Sequence, residues 1–190
     1  EEKLGLVDNA FLVLGQAFDE SRDDERFGDE LERLAGETGQ WAELVTLYEN
    51  VLQALGTAPE SVPLHLRVAG WYDTKLEQAQ HAGTHYQYVL AIEPENVSAL
   101  TALELLLERY QNWPKVAEVL GKKVDLLVDP DERKASLQKL AQTYENKLDR
   151  ADDAIEAYRQ VVQIDGGDLA TLQALERLFT FRQRWEELVE

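Results

Sequence analysis

The stretch that decides the fold lies at residues 137–162 and reads LQKLAQTYENKLDRADDAIEAYRQVV. Its apolar residues recur at steps of three and four, which is the spacing of one face of an α-helix. Leu140 and Tyr144 belong to one such stripe, and Ala154 and Tyr158 belong to a second. Because only a few residues separate the two stripes, the two helices must pack in opposite directions. The stretch therefore predicts an antiparallel helical hairpin.

The pattern recurs at a fixed distance along the chain. Trp41, Trp113 and Trp185 are evenly spaced, and the same offset relates Tyr86 to Tyr158. Self-similarity at a fixed spacing, here about 72 residues, indicates a repeat array, in which each unit buries its apolar surface only against its neighbours. This spacing is called the period below, and each period holds two hairpins. We therefore expect an all-α chain with no strand pairing.

The hairpins resemble the tetratricopeptide repeat (TPR), a unit of about 34 residues with large apolar residues in its first helix. In that family the second helix carries a small residue and, four residues later, an aromatic one. Ala82 with Tyr86, and Ala154 with Tyr158, match this pair, and Pro94 stands where the family usually closes its unit. The resemblance covers essentially the whole chain. It implies an α-α superhelix, a TPR-like solenoid of antiparallel helix hairpins.

The positions in the repeat at which the given sequence starts and stops indicate its domain organisation. Residues 4–18 align with the second helix expected at residues 79–90, whereas residues 185–190 hold only the first turns of a helix. We therefore expect residues 1–190 to form a single TPR-like solenoid fragment that is truncated in mid-hairpin at both ends. Native arrays end in capping helices with a polar outer face, so the parent protein is expected to continue past at least one end.

The charge of the chain limits the classes of partner. It carries 37 acidic and 19 basic residues, which gives a net charge of −18 at pH 7. Nucleic acid and anionic membrane surfaces both require positive potential, so neither is an expected partner. No apolar run approaches the roughly 20 residues that a membrane-spanning helix needs, so no membrane insertion is expected.

No residue pattern predicts catalysis. The chain has no cysteine, which excludes a thiolate nucleophile and cysteine-ligated zinc. His81 and His85 are four residues apart on a predicted helix, but no third metal ligand is in evident register with them. We expect both at the surface or at the edge of a groove, and His65 at a core or groove position. The chain is therefore predicted not to be an enzyme and to have no catalytic residue, metal or cofactor.

The tryptophans fall into two groups. Trp41, Trp113 and Trp185 occupy one repeat position, so we expect them to pack between hairpins. Trp71 breaks the pattern, because the residue one period later is Thr143. Trp71 is therefore a candidate for an exposed residue on a contact surface.

The resemblance to TPR proteins also implies a partner-binding groove, because the concave surface in that family is lined mainly by the first helix of each hairpin. Positions off the packing stripe line it. Carried over to this chain, they are Leu66, Gly70, Asp73, Thr101, Leu105, Glu108, Gln138, Gln142, Glu145, Gln173 and Arg177. Few are the Lys, Arg and Asn with which some relatives hold an acidic C-terminus. A polar, mildly acidic groove instead favours an extended protein or peptide segment of neutral to basic character.

The predicted function is a protein–protein interaction scaffold that binds a partner segment in the concave groove and is not catalytic. Two alternatives stay open. In the first, the chain is a substrate-recruiting or regulatory arm of a larger enzyme whose catalytic domain lies elsewhere. In the second, it is a structural spacer whose groove binds nothing. A helical-repeat fold is compatible with all three. The compartment is left open, with the cytoplasm favoured.

Overall fold

The computed structural model describes residue 11, residues 13–15 and residues 25–182. All regular structure in these residues is helical, without any strand, which confirms the all-α prediction. The helices are α1 (Glu25–Thr38), α2 (Trp41–Leu55), α3 (Val62–Thr74), α4 (Ala79–Ile92), α5 (Val97–Arg109), α6 (Trp113–Leu126), α7 (Pro130–Lys147), α8 (Ala151–Ile164) and α9 (Leu169–Phe181). A short 3₁₀ turn, Pro59–Ser61, precedes α3. Trp185 and most of residues 4–18 lie outside the described residues.

The helices form two compact units, divided between Pro94 and Glu95. The first unit holds the hairpins α1–α2 and α3–α4. The second holds the hairpins α5–α6 and α7–α8, followed by α9. Below, α1, α3, α5, α7 and α9 are called first helices, and α2, α4, α6 and α8 are called second helices. Within the described residues, no helix has both the length and the apolar character that crossing a membrane requires.

The predicted period is visible in the helix boundaries. Both ends of α4 recur one period later as the ends of α8, and both ends of α5 recur as the ends of α9. The helix caps repeat as well. Asn96 accepts a hydrogen bond from the Ala99 N–H at the start of α5, and Asp168 accepts one from the Thr171 N–H at the start of α9. Such caps satisfy backbone donors that lack a partner within the helix. The structure thus confirms the predicted repeat.

The turn inside each hairpin uses one left-handed residue, two positions before the second helix begins. These residues are Gly39 (φ 78°), Glu77 (φ 55°), Gln111 (φ 55°) and Asp149 (φ 53°). A left-handed residue at a helix C-terminus lets the chain reverse within a few residues, and glycine adopts it at the lowest cost. The side chains of the other three make the same turn less favourable.

Each unit has its own apolar core. Leu31, Leu44 and Val68 are buried in the first unit. In the second unit a cluster from α6, α7, α8 and α9 includes Ile155, and the partly buried ring of Trp113 packs against it. Full burial of a side chain such as that of Ile155 stabilises the folded state by about 1.5–3 kcal/mol. The contact confirms the packing role predicted for Trp113.

Trp71 is buried, so it is not the exposed contact residue for which the sequence made it a candidate. Its side chain is 4% exposed. Its ring lies edge-on to Tyr48 of α2, with 4.8 Å between centroids, and 6.3 Å from the ring of Trp41. The residue one period later, Thr143, is also buried. The position therefore faces the interior in both copies, although the two side chains differ in size and polarity.

Candidate functional site

The predicted groove residues all lie on first helices and outside the cores. Leu66, Gly70 and Asp73 are on α3 in the first unit. The remainder are in the second unit, namely Thr101, Leu105 and Glu108 on α5, Gln138, Gln142 and Glu145 on α7, and Gln173 and Arg177 on α9. Each of the eleven is at least partly exposed. The residues of α5, α7 and α9 form what is called below the first-helix surface.

Two predicted residues of this surface meet directly. Nη2 of Arg177 lies 2.5 Å from Oε1 of Glu145, and the Tyr158 hydroxyl donates a hydrogen bond of 3.0 Å to Oε2 of Glu145. Burial and the negative charge of Glu145 raise the pKa of Tyr158 above its usual value, so this hydroxyl stays protonated and donates. Glu145 thereby links α7 to α9, and its charge is balanced within the surface.

A second set of ion pairs links α5 to α7. Nζ of Lys139 lies 2.5 Å from Oε1 of Glu104 and 2.8 Å from Oε1 of Glu108. The other Glu104 oxygen lies 2.9 Å from Nζ of Lys123. Although burial opposes the charge of Lys139, its hydrogen bonds to Glu104 and Glu108 raise its pKa. The carboxylate of Glu108, predicted to line the groove, is therefore also paired.

The pair Glu104–Lys139 has a counterpart one period earlier, in the first unit. There, Nη2 of Arg67 lies 2.7 Å from Oε2 of Glu32. Both partners are displaced by one full period, so each copy joins two successive first helices in the same way. This pair was not among the contacts predicted from the sequence. The sequence does contain a signal for it, since positions 32 and 104 are both acidic and positions 67 and 139 are both basic.

Outside these ion pairs, the exposed side chains of the first-helix surface include apolar and amide groups. Leu105 is 53% exposed, and Gln142 and Gln173 are exposed as well. Gln138 is partly engaged, since its amide donates a hydrogen bond of 3.1 Å to Asp168. Free amide groups both donate and accept hydrogen bonds, so they can pair with the backbone of an extended segment. In the described part of the chain, no group of three or more His, Cys, Asp or Glu side chains could hold a metal ion.

The first unit contains a separate cavity of about 310 Å³. It lies between α2, which contributes Glu49 and Gln53, α3, which contributes His65, and α4, which contributes His85 and Tyr88. None of the predicted groove residues lines it. This cavity is called the histidine pocket below.

The two histidines of the pocket are hydrogen-bonded to each other. Their Nδ1 atoms are 2.8 Å apart, and the side chains of His65 and His85 are only 6% and 8% exposed. The burial of His65 confirms its predicted core or groove position. The expectation of a surface or groove-edge position for His85 is wrong, because its position faces the interior, as does Ala157 one period later. His81, predicted at the surface, is exposed.

Both buried rings are neutral at pH 7. Burial, reinforced by the nearby His85, lowers the pKa of His65 to about 4. Burial also lowers the pKa of His85, although the Glu49 carboxylate opposes this. Because Nε2 of His85 lies 3.6 Å from Oε1 of Glu49, we assign the proton of His85 to Nε2. Nδ1 of His65 then donates to Nδ1 of His85, and Nε2 of His65 keeps a lone pair that can accept a hydrogen bond.

The sequence matches no protein-family model and has no significant similarity to a curated protein. Solved structures do match. The TPR protein YrrB, reported with an unusual peptide-binding site, aligns with a TM-score of 0.57 at 15% identity, over 90% of this chain and 84% of that one. A tetratricopeptide repeat protein from Parabacteroides merdae ATCC 43184 aligns with a TM-score of 0.54 at 16% identity, over 97% and 70%. MamA aligns with a TM-score of 0.52 at 17% identity, over 97% and 87%. The chain therefore has the fold of the tetratricopeptide repeat proteins.

Proposed function

We propose that this chain is a protein-interaction scaffold that binds an extended partner segment of neutral to basic character and catalyses no reaction. The proposal rests on the structure of the first-helix surface. Ion pairs link its helices, and Leu105, Gln142 and Gln173 are exposed, one on each of the three helices. An ordered surface loses little conformational entropy when it binds, which favours affinity.

The chemistry of the surface favours a segment bound through its backbone. The amides of Gln142 and Gln173 offer donors and acceptors to an extended chain, and Leu105 offers an apolar contact. The carboxylates of Glu108 and Glu145 are paired, so they add little unbalanced charge at this place. The net charge of −18 acts at longer range and accelerates the approach of a basic segment.

The solved structures support the class of function and leave the partner open. YrrB shares the fold and is reported with an unusual peptide-binding site. The peptide-binding site is a property of YrrB, which is 15% identical to this chain. It favours a peptide or protein as the ligand in the function proposed here. Fold alone does not determine function, so the surface residues carry the proposal.

Site-specific photo-cross-linking tests the proposal. A benzophenone amino acid is placed at Gln142 or Gln173 on first helices, and at Glu156 or Gln163 on α8 as matched controls, since all four positions are exposed. Extracts of the source organism supply the partner. We expect one protein to be cross-linked from the first-helix positions and not from the α8 positions. Cross-linking mainly from α8, or equally from all four positions, would contradict the proposal.

A kinetic measurement tests the role of charge once the partner is in hand. The Debye length falls from about 10 Å at 0.1 M salt to about 3 Å at 1 M, so long-range attraction weakens. We expect the association rate to fall with salt and the dissociation rate to change less. An acidic partner, or an association rate that does not depend on salt, would refute the attraction.

A further inference from the structure

We propose that the histidine pocket binds the guanidinium group of an arginine side chain presented by a partner protein or peptide. The site is built by α2, α3 and α4 in the first unit and shares no residue with the first-helix surface. The histidine pocket is therefore separate from the proposed groove. It adds a second contact of defined chemistry.

The pocket offers an aromatic face to a planar cation. The ring of Tyr88 is stacked on the imidazole of His65, with 5.2 Å between centroids and 18° between planes. Tyr88 is nevertheless 50% exposed. A guanidinium group is planar and weakly hydrated, and it stacks on aromatic faces with a favourable cation–π energy. Tyr88 can therefore form one wall of the site.

Glu49 supplies a carboxylate that is already fixed in place. Its Oε1 accepts a hydrogen bond of 2.7 Å from the Tyr72 hydroxyl and lies 3.6 Å from Nε2 of His85. Burial and the Glu49 carboxylate raise the pKa of Tyr72 to about 12, so its hydroxyl remains a donor. Neither contact uses Oε2 of Glu49, which stays available to a ligand. A carboxylate is the preferred partner of a guanidinium group.

His65 supplies a second acceptor. With Nδ1 donating to His85, Nε2 of His65 carries a lone pair that can accept a hydrogen bond from a ligand. Because the ring is neutral at pH 7, it does not repel a cation. Among the described residues that line the pocket, one is acidic and none is Lys or Arg. The pocket therefore suits a positively charged group with several donors.

Arginine fits this arrangement better than the other candidates. Its fork of five N–H donors can reach two separated acceptors, whereas a lysine ammonium is a compact point charge. A metal ion is less suitable, since no group of three or more His, Cys, Asp or Glu side chains in the described part of the chain could hold one. The net charge of −18 disfavours an anionic ligand.

Histidine NMR provides the test, because the chain has only three histidines. N-acetyl-arginine amide is titrated into the chain, and N-acetyl-citrulline amide, its neutral analogue, serves as the control ligand. We expect saturable shifts of the His65 and His85 signals with the arginine compound, and affinity at least about tenfold lower with citrulline because the charge-assisted bonds are lost. Equal affinity for both ligands, or no shift with arginine, would overturn the proposal.

Variants locate the binding site. Glu49→Gln and Tyr88→Leu should each weaken arginine binding at least about tenfold. Tyr110→Leu, which changes another half-exposed tyrosine in the second unit, should leave it unchanged. Far-UV circular dichroism checks that each variant is folded, and the exposed position of Tyr88 makes Tyr88→Leu the safer of the two. Unchanged affinity in both pocket variants would overturn the proposal. So would a response of His65 and His85 to Zn²⁺ without one to arginine.

Discussion

Lowering the pH from 7 to 5 is predicted to destabilise the first unit through its buried histidine pair. His65 has a pKa near 6.5 in the unfolded chain and about 4 in the folded one. Between these values the unfolded chain binds a proton that the folded chain does not bind. The free energy of unfolding therefore falls as the pH falls through this window, and the loss is nearly complete at about pH 4.

The size of the effect follows from the two pKa values. For one group shifted from 6.5 to about 4, the loss is about 2 kcal/mol at pH 5 and about 3 kcal/mol at pH 4. His85 adds a loss of the same sign, because burial lowers its pKa as well. Protonation of both rings would also place two N–H groups face to face across the 2.8 Å contact.

Urea denaturation at pH 7 and pH 5 measures the loss. Trp41 and Trp71 report the first unit by fluorescence when the tryptophans at 113 and 185 are replaced by phenylalanine. His65→Asn keeps a donor near the position of Nδ1 and cannot be protonated, so it should lose about 2 kcal/mol less than the parent between the two pH values. Equal losses in both proteins, or an NMR titration that gives His65 a pKa near 6.5, would show that His65 does not cause the loss.

Three further predictions concern stability in urea denaturation. Trp71→Ala should lower the free energy of unfolding by about 3–5 kcal/mol, and by more than Trp113→Ala, because only the Trp71 ring is fully buried; a smaller loss at Trp71 would contradict its burial. Gln111→Gly should raise the free energy of unfolding by about 0.5–1 kcal/mol, since glycine adopts a φ of 55° without strain. Gly39→Ala should lower the free energy of unfolding, because alanine is strained at a φ of 78°. Glu104→Gln should lower it by about 3 kcal/mol, because two lysines lose a buried charge partner; no change would mean that water replaces the carboxylate.

The repeat could be predicted because local spacing determines it. The pairs Ala82–Tyr86 and Ala154–Tyr158 lie on one face of their helices, and the structure places all four side chains in the cores. Short turns then leave antiparallel packing as the only way to bury both faces. These features depend on neighbours within one hairpin, which a single sequence records directly.

The sequence did not predict the burial of Trp71 and His85, because the residues one period later are of different types although they occupy the same repeat positions. Their counterparts Thr143 and Ala157 are a polar residue and a small one, so the sequence suggested that the pattern broke there. All four are buried. In a repeat array the position relative to the neighbouring helix decides burial, and each copy fills the available space with its own side chains.

The ion pairs and the histidine pocket depend on contacts between separate helices. Glu104 and Lys139 are on different hairpins, and His65 and His85 meet only because α3 and α4 pack closely. The positions carried over from the family resemblance predicted a mildly acidic groove, whereas the structure pairs Glu108 and Glu145 with basic groups. Charge counted along a chain does not show which charges neutralise each other after folding.

The proposed function requires that a partner segment bind along the first helices of the hairpins. The most direct test is NMR of the isotope-labelled chain with a synthetic peptide that covers the cross-linked segment of the partner. We expect the largest side-chain shifts at Leu105, Gln142 and Gln173, with α6 and α8 little affected. The largest shifts on α6 and α8, with these three side chains unchanged, would show that the partner binds elsewhere.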